Sequence, residues 1–426
     1  MSVRKNVLAN YIGAGTSALA PILAMPWYIS ILGTKFWGLV SFIWVLQALL
    51  ALVNAGLAQA LIREISHLAI AKEVGQKRIA AILFGFERIY WGFSISAGLI
   101  LAYFANNITT GWLRLGEIPV ETGMMVIYAA SAIFILQFPA SLYRSVLFGS
   151  GHQIKQSVII STATVLRHLG GVALLSIHGS IETYLVWNVI TAGMETLVTA
   201  IISWRSLHVK RATLQWDQAE MRKVFLLTIG LSVSVFLGIL TLQIDKIVLS
   251  WSLPIEQFGY YAIASAVSIG MLQAFTPIIS AVLPKLVALQ DQPKILKQFN
   301  LKLVRMMFVI VGVVAVIFSL AGESLLNLWL RDARVVAIVY PVLTVLLVGT
   351  GLNAIYSVGY INWVAAGASK KILIVNASAL ILSIMFLPFL VVKYQLIGAA
   401  FGWVSINLIG LLLSLDWIAS GSKVAN

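Results

Sequence analysis

The chain has 426 residues, of which 60% are hydrophobic and only 10% charged, with no cysteine and a formal net charge of +14. Soluble domains carry about 25% charged residues, so this chain could not cover a water-facing surface; the same figures exclude disorder, a disulfide-stapled secreted module and a thiol enzyme. What remains is an all-α polytopic membrane protein, in which basic residues must first be read as orientation signals before nucleic acid is invoked.

A membrane span needs about 20 mostly apolar residues, and twelve such stretches are predicted. The first two cover 8–31 and 37–62. Pro21 and Pro26 interrupt the first, whose apolar run is also too long for a signal-peptide core. Span three, 80–104, carries Glu87 and Arg88 two turns in; adjacent residues point about 100° apart, so both cannot face one cavity squarely. Span four, 122–146, holds Pro139 and, near its end, Arg144. Arg167 stands at the midpoint of span five, 156–178, and Glu195 near the middle of span six, 183–204. Span seven, 224–249, has Asp245 and Lys246 late in an otherwise apolar run. Span eight, 259–283, contains Pro277; spans nine to twelve cover 301–321, 335–362, 372–392 and 396–418, with Asp416 at the end of the last.

The connections alternate in charge. The set containing both termini and 63–79, 147–155, 205–223, 284–302 and 363–371, with Arg305, holds 20 of the 29 Lys and Arg residues; the opposite set holds five. That excess predicts cytoplasmic termini and accounts for most of the +14, leaving nucleic acid without support. Two landmarks recur. Phe36-Trp37-Gly38 after span one answers Phe258-Gly259-Tyr260 after span seven, and Gly149 with Lys155 after span four answers Gly367 with Lys370 and Lys371 after span ten. The intervals between landmarks, 111 and 108 residues, predict two parallel six-helix lobes, 1–204 and 224–426, joined by a cytoplasmic linker at 205–223. Glycine also punctuates loops without any repeat, which is the plainer account of the same residues.

No P-loop pattern occurs, and His67, His152, His168, His178 and His208 have no metal-ligand spacing. Neither an enzyme nor a metal site is expected. Charges within spans carry more information, because one at the bilayer centre costs about 2.5–3.5 kcal/mol on insertion scales and calls for a partner or a watery cavity. Arg167 is either a ligand for an anion or the partner of Glu195 on the neighbouring antiparallel helix. Arg88, Arg144 and Lys246 are further anion-binding candidates, with snorkelling to the interface as the plain alternative. Asp245, Glu87 and Glu195 are candidates for carrying a coupling ion. Pro21, Pro26, Pro139 and Pro277 free backbone carbonyls and permit bends that suit gating. Gly398 and Gly402 form a close-packing pair.

The run Thr241-Leu242-Gln243-Ile244-Asp245-Lys246-Ile247-Val248-Leu249-Ser250, continuing through Phe258-Gly259-Tyr260-Tyr261 to Pro277 and Pro284, resembles the polysaccharide-transporter, or Wzx-like O-antigen flippase, branch of the MOP exporter superfamily. Leu142-Tyr143-Arg144-Ser145-Val146-Leu147-Phe148-Gly149 with Leu166-Arg167, and Tyr11-Ile12-Gly13 with Tyr28, Leu32-Gly33 and Gly38, extend the similarity, as do Glu323, Leu328-Trp329, Asp332 and Gly398-Ala399-Ala400. The motifs are loose singly; their order over nearly the whole chain is specific. Relatives often carry an acidic residue where this chain reads Asn54-Ala55-Gly56-Leu57, which moves any proton-carrying role toward Asp245 or Glu87.

The resemblance implies a MATE-like fold and a flippase that moves undecaprenyl-diphosphate-linked oligosaccharide across the bacterial inner membrane by alternating access. It implies no cofactor beyond a coupling H+ or Na+. Expected partners are the lipid-linked oligosaccharide, membrane lipids, and a polysaccharide polymerase with its chain-length regulator. A cation-coupled drug or small-solute antiporter of the same fold is the nearest rival, and a membrane polymerase or acyltransferase a more distant one.

Overall fold

The computed structural model describes residues 3–209 and 218–415. It is helical throughout its long elements: α1 (Val3–Ala69), α2 (Lys72–Tyr103), the short α3 (Ala105–Asn107) with a π-turn at Ile108–Trp112, α4 (Val120–Gly149), α5 (Gln153–Ile177), α6 (Ile181–Leu207), α7 (Gln218–Ser252), α8 (Ile255–Ala288), α9 (Pro293–Leu330), α10 (Ala333–Ala365) and α11 (Ser369–Ser414). Eight of these helices are long and apolar enough to cross a membrane, and the bent pair Glu73–Tyr103 with Ala105–Trp112 makes nine.

Two of the eight are hairpins. A straight helix of 67 residues would run about 100 Å, three times a hydrocarbon core. Instead α1 breaks at Gly33 (φ 78°), where only a residue without Cβ turns freely. The rings of Tyr28 and Trp37 then stack 6.2 Å apart, although nine residues of continuous helix would separate them by about 13 Å along the axis. In α11 the break is at Gln395 (φ 52°). Past it, a Cβ on Gly398 would lie 2.0 Å from the Leu390 carbonyl oxygen, and one on Gly402 2.4 Å from Leu387. The expected close-packing glycines therefore hold the second arm of α11 against its first. Counting arms separately, the described residues contain twelve long helical segments, as the hydropathy pattern predicts. The break in α1 sits at Gly33 and not at Pro21 or Pro26, which are accommodated inside the helix, as are Pro139 in α4, Pro341 in α10 and Pro388 in α11. The side chain of Pro277, and Asp416, lie outside the described residues.

Several expected loops are helical. Charged residues such as Arg63, Lys294 and Lys297 end an apolar run without ending a helix, because a helix needs low polarity only within the hydrocarbon. Thus α1 reaches Ala69 and α9 starts at Pro293. Phe258-Gly259-Tyr260 stands in the first turns of α8, not in the preceding connection. The glycine that turns the α4–α5 connection is Gly151 (φ 78°), the conformational counterpart of Gly367 (φ 67°) between α10 and α11. Gly149 is still helical; its missing Cβ admits Ile65, whose Cγ2 would otherwise stand 2.7 Å away.

The chain forms two compact units, Met1–Ile239 and Leu240–Asn426, a division inside α7. Residues 210–217 of the anticipated 205–223 linker lie outside the described residues. In the first unit, α4 packs against α1, α2 and α6, and α5 against α1 and α6. Phe86, Tyr90, Phe138 and Leu142 fill the α2–α4 seam. In the second unit α10 contacts α8, α9 and α11. Its buried face carries paired polar groups: Asn362 and Asn300 exchange amide bonds of 2.9 and 3.0 Å, Thr350 meets Ser268 at 2.6 Å, and Asn353 donates to Asn407 at 2.6 Å. Small residues let these helices approach closely, and side-chain hydrogen bonds join them where lipid supplies no hydrophobic drive.

A Cβ on Gly359 would lie 2.4 Å from Ser414 Cβ and 2.6 Å from its carbonyl oxygen. Gly359→Leu should therefore lower the thermal unfolding midpoint of the purified protein in detergent, at a cost of about 1–3 kcal/mol. Gly312→Ala, which meets nothing within 4 Å, should leave it unchanged or slightly raised.

Candidate functional site

Glu195 lies 14 residues into α6 and 12 from its end, at the middle of a helix long and apolar enough to cross a membrane, with 5% of its side chain exposed. A lone carboxylate there would be costly. It is held by two arginines. Arg167 Nη2, from the middle of α5, donates to Oε2 at 2.8 Å, and Arg144 Nη2, from α4, donates to Oε1. The anticipated pairing of Arg167 with Glu195 is present, and a second cation shares the carboxylate. Two guanidinium groups against one carboxylate leave this cluster with a net positive charge.

The surrounding groups fix the arginines. Gln137 lies seven residues before Arg144, two turns away on the same face of α4. With its amide oxygen toward Arg167 it accepts from Nη1 at 3.1 Å and Nη2 at 2.6 Å. Arg167 Nε donates to Thr191 Oγ1 at 3.3 Å, and the Trp187 indole donates to the Arg167 carbonyl at 3.0 Å. Trp187, Thr191 and Glu195 are spaced four apart, so one face of α6 grips Arg167 at three heights. Planar guanidinium donors suit such a multi-point hold and still offer further N–H groups. Arg144 keeps 31% of its side chain exposed and Arg167 20%, and Arg144 Nε has no hydrogen-bond partner among the described residues.

Both arginines line cavities of the first unit. One, of about 210 Å³, is walled by Trp44, Gln47, Gln137, Arg167, His168 and Asn188; Pro21 also borders it. The other, of about 440 Å³, is walled by Trp44, Gln47, Asn54, Gln137, Ser141 and Arg144. The larger falls within the range of about 300–1,000 Å³ usual for ligand sites. Asn54, at the position where an acid was anticipated, accepts a 2.7 Å hydrogen bond from Tyr90. Trp44, Gln47, Gln137 and Asn188 are uncharged and were not singled out by the sequence. The signal for two of them is the i, i+3 spacing of Trp44 and Gln47 on the second arm of α1, continued by Asn54 two turns on.

Residues 3–290 match the family described as "Polysaccharide biosynthesis protein". The chain belongs to that family. The chain is similar, at 23% identity over 98% of each chain, to the "Putative O-antigen transporter" of Shigella flexneri. Its fold resembles that of a lipid II flippase, MurJ, in an inward closed conformation, with a TM-score of 0.73 at 14% identity over 97% of this chain and 87% of that one. It also resembles an inward-facing multidrug resistance MATE family transporter of the MOP superfamily, with a TM-score of 0.63 at 15% identity over 99% and 97% of the two chains. The anticipated resemblance to the polysaccharide-transporter family stands, as does the all-helical, multi-pass membrane architecture, whose fold is that of the MATE-like transporters.

The other candidate residues stand elsewhere. Arg88 is exposed on α2, its guanidinium 4.0 Å over the Phe84 ring, and lines neither cavity. Glu87 faces the other way and accepts from Tyr143 at 2.5 Å and from Trp204 at 3.3 Å. In the second unit Asp245 accepts from Tyr261 at 2.6 Å and pairs with Lys246 at 3.2 Å; Lys246 also donates to the Leu242 carbonyl. Of the four basic candidates, Arg144 and Arg167 alone are brought together.

Removing one member of a buried ion cluster leaves an uncompensated charge, worth about 3–5 kcal/mol when fully buried. The arginines are partly exposed, which reduces that figure. Glu195→Gln is therefore expected to destabilise the protein by about 1–3 kcal/mol in detergent unfolding. Combining it with Arg144→Gln should cost less than the sum of the two single changes, because the second removes the charge the first leaves unpaired.

Proposed function

We propose that this protein is a flippase that carries an undecaprenyl-diphosphate-linked oligosaccharide, such as an O-antigen repeat unit, from the inner to the outer leaflet of the bacterial inner membrane by alternating access. The observation that carries the reading is the Arg144–Glu195–Arg167 cluster with its net positive charge beside polar cavities at membrane depth. A diphosphate is anionic and takes charge-assisted hydrogen bonds from guanidinium groups. The lipid tail has no need of a protein path, since it can remain in the bilayer while the head group passes.

The family match and the similarity to a named O-antigen transporter support the polysaccharide side of this reading. The site chemistry weighs against the rival of a cation-coupled drug antiporter, which needs an open carboxylate in its cavity. Glu195 is already bound by two cations. In this reading the termini are cytoplasmic, as the charge asymmetry of the connections predicts. An H+ or Na+ gradient, or consumption of product at the outer face, supplies the direction; of the candidate carboxylates, Asp245 and Glu87 would have to exchange their present partners, Lys246 and Tyr261 or Tyr143 and Trp204, to carry a coupling ion.

The test is delivery of surface polysaccharide in a strain whose own copy is deleted, at matched expression. Arg167→Ala should reduce delivery at least about ten-fold, and Arg167→Lys should restore it only in part, because Lys keeps the charge but loses the planar fork. Full delivery by Arg167→Ala would remove Arg167 from the path.

A further inference from the structure

The arginines account for a diphosphate but not for the wall that faces them. The two cavities share Trp44, Gln47 and Gln137. Gln137 serves Arg167, whereas Trp44 and Gln47 serve nothing yet described: neither the Trp44 indole N–H nor the Gln47 amide has a hydrogen-bond partner among the described residues, and both side chains are partly exposed. Two polar groups in the cavity wall without a protein partner are free to exchange hydrogen bonds with a guest.

Trp44 is also positioned by neighbouring rings. Its ring meets that of Trp37 edge to face at 5.3 Å, Trp37 is fully buried and stacks on Tyr28, and the Tyr28 hydroxyl donates to the His168 carbonyl at 3.1 Å. His168 follows Arg167 in α5, so this aromatic relay ties the Trp44 ring to the backbone beside the cationic cluster. An indole positioned in this way contributes contact area at little entropic cost. Beside it, Gln47 offers an amide from the same face of α1, and Asn188, whose Nδ2 bonds its own helix at Tyr184, keeps an amide oxygen at the smaller cavity.

An aromatic ring flanked by amides is the chemistry that recognises a sugar. One face of a pyranose presents C–H groups that stack on an aromatic ring, while its rim presents hydroxyl or acetamido groups that exchange hydrogen bonds with amides. A lipid chain has no use for the amides, and a bare phosphate none for the indole.

We propose that Trp44, Gln47 and Asn188 form a saccharide subsite that holds the sugar attached directly to the diphosphate. This inference rests on the flippase reading and deepens it, by assigning residues that select the first sugar separately from those that hold the diphosphate. Because Trp44 borders both the Arg144 and the Arg167 cavities, a sugar stacked on it keeps the adjoining diphosphate beside that pair.

The test uses the full-length protein in lipid nanodiscs with three probes: undecaprenyl diphosphate alone, and the same lipid carrying N-acetylglucosamine or galactose. Equilibrium affinity is measured for each. The native protein should bind at least one sugar-bearing probe about ten-fold more tightly than the bare diphosphate. Trp44→Ala should bring that ratio to within about two-fold while bare diphosphate binding stays within about two-fold of native, which also reports a folded protein; Trp44→Phe should retain most of the preference. Gln47→Leu should lower sugar-bearing affinity without moving that of the bare lipid. The subsite is refuted if Trp44→Ala keeps the native preference, if it weakens all three probes equally, or if the native protein binds the three alike. Absence of binding to every probe by the native protein refutes instead the flippase reading on which the subsite rests.

Discussion

One carboxylate organises the first unit of this protein. Glu195 cannot stand charged at mid-membrane without counter-charges, and it recruits them from two other helices, Arg144 from α4 and Arg167 from α5. That constraint places three helices in register. It also fixes the sign of the site: a second arginine exceeds what neutrality requires, so the surplus positive charge must be met by water or by an anionic guest. A membrane protein under selection for stability alone would have little use for an excess charge at this depth.

The rest of the first unit arranges access to that surplus. The Gly33 break folds α1 back on itself, so that its second arm turns Trp44, Gln47 and Asn54 toward the arginines while the first arm brings Pro21 to the same cavity. Gln137 orients Arg167, and the α6 face of Trp187, Thr191 and Glu195 anchors it from the other side. The second unit follows a different plan. Among its described residues, polar groups on α10 pair with those of its neighbours, amide to amide and hydroxyl to hydroxyl, and Asp245 pairs with Lys246 and accepts from Tyr261. In the proposed reading, anion binding therefore belongs to the first unit.

The sequence revealed what depends on hydrophobicity and charge. Twelve segments were legible because each needs a long apolar run, and the Arg167–Glu195 contact because mid-span charges on neighbouring helices must find each other. Arg144 was legible as an anion-binding candidate with an interface marker as the alternative, but its contact with Glu195 was not, since its position five residues from the end of α4 conceals how far a long side chain reaches inward. Trp44, Gln47 and Asn188 were invisible for another reason: tryptophan and amides are tolerated in spans for many purposes, and only the fold shows which of them share a cavity. Helix ends were misplaced where charged residues continue a helix beyond the hydrocarbon, as at Ala69 and Pro293. The glycine pair of the repeat was displaced from Gly151 to Gly149 because a sequence does not report φ.

The most direct measurement is transbilayer movement itself. Purified protein would be reconstituted in vesicles containing a lipid-linked oligosaccharide, and the fraction of head groups reaching the outer leaflet followed by their accessibility to an external sugar-oxidising enzyme. Vesicles with the native protein should expose inner-leaflet head groups many times faster than empty vesicles, and vesicles with Arg144→Ala and Arg167→Ala combined should match the empty ones. Equal rates with and without the native protein, or an undiminished rate in the double variant, would contradict the account.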